Sequence, residues 1–243
     1  QPFLTDMVRI PASTFVLGTD RDGKGDGPAH QVTITKAFYI DRTEVTAEAY
    51  AACVEDGACT PPSVHSGAQV ETSWGCNTAK ERPRHPANCI DRAQAERYCA
   101  FVQKRLPTEA EWELAARGTD GRAFPWGDDA PTRCDQAVVS TASGGCGERK
   151  GTSEVGTTTE GKSPFGVLDM AGNVWEWVAD GYGAYPTAAQ TDPRAPLGAG
   201  ARGVVRGGSW DYAPTSAKST YRLPFYAPGG NASIGVRCAR DAE

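Results

Sequence analysis

No stretch of the chain reaches the roughly 18 consecutive apolar residues that a membrane-spanning helix requires, so no membrane span is expected. Nor is there a run of Lys or Arg, and 25 basic against 30 acidic residues give a formal net charge of −5. That balance argues against a nucleic-acid partner, which would demand a basic stripe. No Cys-x-x-Cys pair occurs, so the common zinc-cluster spacings are missing. His30, His65 and His85 are the whole histidine complement, far apart and without helical spacing. No internal repeat, low-complexity tract or linker-like break interrupts the 243 residues, and one domain over 1–243 is the simplest reading. No signal peptide is seen, although a chain opening at Gln1 and Pro2 is compatible with a trimmed mature form.

What the chain does have is length, glycine, proline and cysteine. A composition that is 39% hydrophobic can build one substantial core, while 28 glycines and 17 prolines call for much irregular backbone. The eight cysteines are Cys53, Cys59, Cys76, Cys89, Cys99, Cys134, Cys146 and Cys238. An even number, often paired a few residues apart in loops, suits an exported protein that is secreted, periplasmic or at the cell surface. Spacing cannot choose among the pairings that eight cysteines permit. Locality favours Cys53–Cys59, Cys76–Cys89 and Cys134–Cys146, which leaves Cys99 for Cys238.

Alternation over 7–11, 14–18, 31–35 and 37–41 predicts short strands. Thr46 is positioned to cap a helix running through Cys53 and ending near Gly57. Asp91 with Gln94, and Thr108 with Glu111, have the form of two capping boxes opening further helices; Gly118 ends the second. Glu109, Glu111 and Glu113 are expected as a cap and a solvated face, because no second acidic pair stands at a spacing suited to acid–base catalysis. Residues 20–27 resemble half of an EF-hand loop, but Lys24 and Gln31 occupy ligand positions, which leaves a solvated turn. Long irregular stretches are expected at 60–86, 128–163, 179–203 and 211–233. Strands are expected at 174–177, 203–210 and 234–239. The sum is an irregular, loop-rich α+β fold.

The most unusual chemistry lies at 166–177. Trp175 and Trp177 flank Glu176, and strand alternation sends both indoles to one face with Val174 and Glu176 on the other. A carboxylate beside so much aromatic surface must be solvated, paired or bound to a cation. Asp169, Glu176 and carbonyls around Gly172 supply the hard oxygens that calcium prefers. The plainer alternative is an acidic turn leading into a strand whose tryptophans fill a core.

This stretch, with 104–113 and 206–210, resembles the formylglycine-generating enzyme family of sulfatase-modifying factors and their inactive relatives, from Met7 to Arg240. The resemblance implies a variation of the C-type lectin fold. It implies a structural calcium held by the side chains of Asp169 and Glu176 and the carbonyls of Gly172 and Val174, and it supports the Cys99–Cys238 pair. A second calcium in such relatives would start at Asp135 and Gln136, where no convincing downstream carboxylate follows. The family's oxidase binds copper through two cysteines after the Gly-Gly-Ser motif, here Gly207, Gly208 and Ser209. Those two positions are Tyr212 and Ala217, so copper is not expected. The lectin-like branch implies instead that Trp210, Asp211, Tyr212, Arg222, Phe225, Tyr226 and Asn231 display a binding surface for a protein, peptide or glycan. An oxidoreductase acting on a substrate cysteine without the two family thiols is the alternative.

Overall fold

A computed structural model describes residues 6–21, 26–62, 75–141, 146, 151–198 and 202–242. His65 lies outside these residues, as do parts of the predicted 20–27 turn and 60–86 loop. The described residues form three small sheets and three α-helices joined by long irregular segments, an α+β fold as the sequence implies.

The first sheet joins β1 (Met7–Ile10), β4 (Phe38–Asp41) and β10 (Ala239–Asp241) in the order β1-β4-β10, with both pairings antiparallel. The second joins β2 (Ser13–Leu17), β3 (His30–Ile34) and the two-residue β6 (Gln190–Thr191). The third has the order β8-β7-β5-β9, with β5 (Trp175–Gly181) and β7 (Arg202–Arg206) inside, and β8 (Arg222–Tyr226) and β9 (Ile234–Gly235) outside. β5 is buried along its whole length.

The helices start where the capping chemistry directs. Thr46 accepts from Ala49 N at the start of α1 (Ala47–Glu55), and reciprocal capping boxes open α2 (Arg92–Phe101) and α3 (Glu109–Arg117). Each box satisfies N–H groups that the first turn leaves without an intrahelical partner. One core cluster packs β1–β4 against Trp112, Leu114, Ala115 and Ala116 of α3; the other packs α1 and α2 against Trp175, Trp177, Ile234 and Val236. Both β5 tryptophans enter the second cluster, as alternation predicts, while Val178 enters the first.

All four proposed disulfides are present, and no cysteine is free. Cys99–Cys238 ties α2 to the segment between β9 and β10.

Three expectations need correction. The stretch 211–233 is not irregular throughout, since it holds β8 against β7. The single closing strand predicted at 234–239 is two short strands in different sheets, because the chain crosses from β9 to β10 through buried Arg237 and Cys238. The solvated acidic face predicted for α3 is also wrong: Glu109, Glu111 and Glu113 are all buried. α3 is packed against strands of two sheets, so its acids meet arginines rather than water. Glu111 completes the capping box and is paired with Arg105, whereas Glu109 and Glu113 bind Arg206.

Candidate functional site: a buried acidic turn beside an aromatic cluster

The turn before β5 is locally committed to an unusual backbone. Asp169, Gly172 and Asn173 all have positive φ (58°, 83° and 63°). At Gly172 a Cβ would stand 2.3 Å from the Val138 carbonyl oxygen, so only glycine fits. Asn173 tolerates the left-handed region and uses its side chain: Oδ1 accepts from Ser153 N at 3.0 Å, and Nδ2 donates to Glu44 Oε2 at 3.3 Å.

Three buried carboxylates surround this turn. Glu176 Oε2 accepts from Trp112 Nε1 at 2.6 Å and Arg237 Nε at 2.9 Å, and Oε1 accepts from Arg237 Nη2 at 2.7 Å. Asp169 accepts from Thr158 Oγ1 and Gly156 N, both at 2.5 Å. Glu44 Oε1 is buried without a partner among the described residues. Burial first, then the negative charges of Asp169 and Glu176, push the Glu44 carboxyl far above the ordinary carboxylate range. Arg237 is the one cation that lowers it. Glu44 and Arg237 were missed from sequence; Glu44 sits just before a helix cap and carries no local signal.

The donors at this turn are hard oxygens, the kind that calcium prefers. Each of Asp169 and Glu176 has lone-pair capacity beyond its present hydrogen bonds, the turn offers the carbonyls of Gly172 and Val174, and Glu44 presents an unsatisfied oxygen. Among the described residues no group of three or more His, Cys, Asp or Glu side chains has metal-binding geometry. A cation here would therefore depend on the backbone carbonyls. Asp135, the expected start of a second site, is paired with Arg133 at 2.5 Å.

Residues predicted to form a binding surface fall into two groups. Asp211 accepts from Ser209 Oγ at 2.6 Å and Ser233 Oγ at 2.8 Å, Asn231 Oδ1 accepts from Ser233 N at 2.9 Å, and Trp210 Nε1 donates to Ala232 O at 3.3 Å. Tyr212 stands edge-on to Trp175 with ring centres 5.2 Å apart, and Tyr221 is tilted against the same indole at 5.9 Å. Trp175 Nε1 is buried beneath them with no partner among the described residues. Trp210, Asp211, Tyr212, Tyr221 and Asn231 thus belong to one neighbourhood on β5 and its flanks. Phe225 instead packs edge-on to Trp177, and Tyr226 is exposed on β8.

Arg222 turns inward. Its Nε and Nη2 donate to Glu109 at 2.6 and 2.8 Å, and its guanidinium lies 3.7 Å from the Tyr185 ring centre. Glu109 also accepts from Arg206, which bridges to Glu113. Against the desolvation that would raise it, Arg206 and Arg222 hold the Glu109 carboxyl below its ordinary value.

Asp180, at the edge of this network, accepts from Glu109 N and Ala195 N, both at 2.7 Å. Burial outweighs these bonds and raises its pKa to about 6. A folded-state pKa above the unfolded one contributes stability that is complete below about pH 4 and lost as pH rises through 6. The expected loss is about 3 kcal/mol. Asp180→Asn should flatten the pH dependence of chemical-denaturation stability between pH 4 and 7; unchanged dependence would assign it elsewhere.

The two positions after Gly207 and Gly208 that matter for copper are accounted for. Tyr212 is the ring against Trp175, and Ala217 is fully buried against Phe124, Ala137, Val139 and Ala171. With every one of its eight cysteines in a disulfide, this chain has no free thiol.

The chain is 31% identical to a formylglycine-generating enzyme of Streptomyces coelicolor, over 98% of this chain and 90% of that protein. It is also 31% identical to mouse inactive C-alpha-formylglycine-generating enzyme 2, over 97% of this chain and 86% of that protein. PvdO of Pseudomonas aeruginosa superimposes with a TM-score of 0.77 at 30% identity, covering 98% of this chain and 95% of PvdO. Treponema denticola variable protein 1 shares the fold, with a TM-score of 0.76 at 23% identity over 97% of this chain and 95% of that one. The model of the sulfatase-modifying factor enzyme 1-like domain matches residues 1–242, and the chain belongs to that family.

Proposed function

We propose that this chain is an exported, non-catalytic binding module for a protein, peptide or glycan, on a scaffold held by disulfides and one calcium ion. The absence of a free thiol carries this reading, because cysteine oxidation on Cu(I) needs soft thiolate ligands. A relative named inactive indicates that loss of the chemistry is compatible with the fold. Export is supported by four disulfides, which persist in oxidising compartments. The binding face is the neighbourhood of Trp210, Asp211, Tyr212 and Asn231, extended by Phe225 and Tyr226; Arg222 supports it from beneath. Calcium would be held by Asp169, Glu176 and the carbonyls of Gly172 and Val174, offsetting an excess of buried negative charge.

A formylglycine-type oxidoreductase is the second reading, favoured by the relatives of that name and by Gly207, Gly208 and Ser209. Cu(I) titration with a cysteine-containing sulfatase-motif peptide separates the two. No thiolate–copper band and no aldehyde product are expected; copper-dependent turnover would establish the oxidase. For the binding face, a partner captured from exported proteins or a glycan array should be lost when Tyr212 and Tyr226 are both replaced by alanine in a variant that still melts cooperatively. Retained capture would move the face elsewhere.

Calcium at about 100 times its dissociation constant should stabilise the protein by about 2.7 kcal/mol. Trp112 fluorescence should change with it, since its indole N–H donates to Glu176. An Asp169→Asn, Glu176→Gln variant with an undiminished calcium response would remove the ion from this site.

A further inference from the structure

Beside the turn Pro214–Ala217 lies a cleft of about 480 Å³, within the range of about 300–1,000 Å³ usual for small-molecule sites. Thr19, Arg21, Phe124, Asp128, Thr215, Lys218 and Thr220 contribute to its walls. Its polar groups are unevenly committed. Arg117 also borders it but is consumed by Glu113 and by the carbonyls of Gly18, Gly121 and Arg122. Arg21, by contrast, is exposed, and its guanidinium makes no ion pair among the described residues. Lys218, which already has a protein contact, adds a second cation to the lining.

Among the described residues Asp128 is the one acidic residue in the lining, and one of its oxygens holds Ala123 N at 2.9 Å. The described lining thus holds three basic side chains against one acidic, on a chain whose net charge is −5. Thr220 is only 3% exposed, yet its hydroxyl has no partner among the described residues. That hydroxyl is left for whatever fills the cleft, water or ligand, to bond.

We propose that this cleft binds a small hydroxylated organic anion with a carboxylate or phosphate head. Arg21 takes the head through the planar fork suited to either oxyanion, and Lys218 adds a second charge. The hydroxyls of Thr215 and Thr220 and the free oxygen of Asp128 meet the hydroxyl groups of the ligand. Phe124 and Pro214 border its carbon skeleton. The site is independent of the aromatic binding face and shares with it only the chain segment around 212–217.

Three probes separate the terms: glucose 6-phosphate, gluconate and neutral glucose, each titrated calorimetrically into the intact protein. At least one anion should bind with a dissociation constant at or below about 1 mM, and glucose at least about tenfold more weakly. Whichever anion binds tighter identifies the head group. Arg21→Ala and the near-isosteric Thr220→Val should each weaken that anion about tenfold or more, with melting temperatures checked for folding. Three results would each overturn the proposal: neither anion binding by about 10 mM, glucose binding as well as the anions, or affinity unchanged in both variants. Tyr212→Ala serves as the reference variant. It should leave anion affinity intact even if it abolishes capture at the aromatic face, so the two assignments can fail separately.

Discussion

Replacing Arg237 by methionine is expected to lower stability in the absence of calcium by about 3–5 kcal/mol, the usual cost of stranding one partner of a buried ion pair. Arg237 is fully buried and holds both oxygens of Glu176, and its other N–H groups donate to the carbonyls of Asp41 and Leu168, each at 2.9 Å. Methionine retains much of the volume and none of the charge. Glu176 would keep only the Trp112 indole, and the one cation that favours the charged form of Glu44 would be gone. Calcium should restore part of the loss, because the ion then neutralises what the guanidinium did. Urea denaturation with chelator and with calcium reads both effects. A cost below about 1 kcal/mol in chelator would mean that the Arg237–Glu176 pair contributes little to stability.

Removing the Cys99–Cys238 bridge should cost about 4–5 kcal/mol by chain entropy, and appreciably more than removing Cys53–Cys59. The first joins residues 139 apart in sequence, the second residues 6 apart. Loop-closure entropy grows with the logarithm of that separation, which makes the expected difference between the two double-alanine variants about 2–3 kcal/mol. All four sulfurs belong to one buried cluster, so the comparison holds the type of surroundings nearly constant. Equal costs in chemical denaturation would show that local packing, and not loop closure, governs what these bridges contribute.

What the sequence made readable was local. Thr46, Asp91 and Thr108 cap helices because each side chain answers an N–H two or three residues away, and nothing distant can alter that choice. The alternation around Glu176 was equally local, and it correctly separated the two indoles from the carboxylate. The three short-range disulfides are the pairs that locality favours. What spacing could not supply was the partner of each buried charge. Glu113 looks like any helix-surface acid until Arg206, 93 residues later, is folded against it. Arg222 read as a recognition residue because it lies among aromatics, yet Glu109 of a distant helix claims it. Glu44 lacks even that clue, since its neighbours Asp169 and Glu176 lie more than a hundred positions away. In each case the missing information was tertiary.

The crossing from β9 to β10 also bears on how the chain acquires its shape during synthesis. Phe38–Asp41 is made early, and its antiparallel neighbour β1 earlier still, but the strand that covers its other edge is Ala239–Asp241. Translation of about two hundred residues separates the two, some ten seconds or more at typical elongation rates. Throughout that time the open side of β4 presents unpaired backbone groups to any neighbouring chain, which is the usual route to edge-to-edge aggregation. A premature stop upstream of Ile234 would leave that edge uncovered and strip Glu176 of its guanidinium in one stroke.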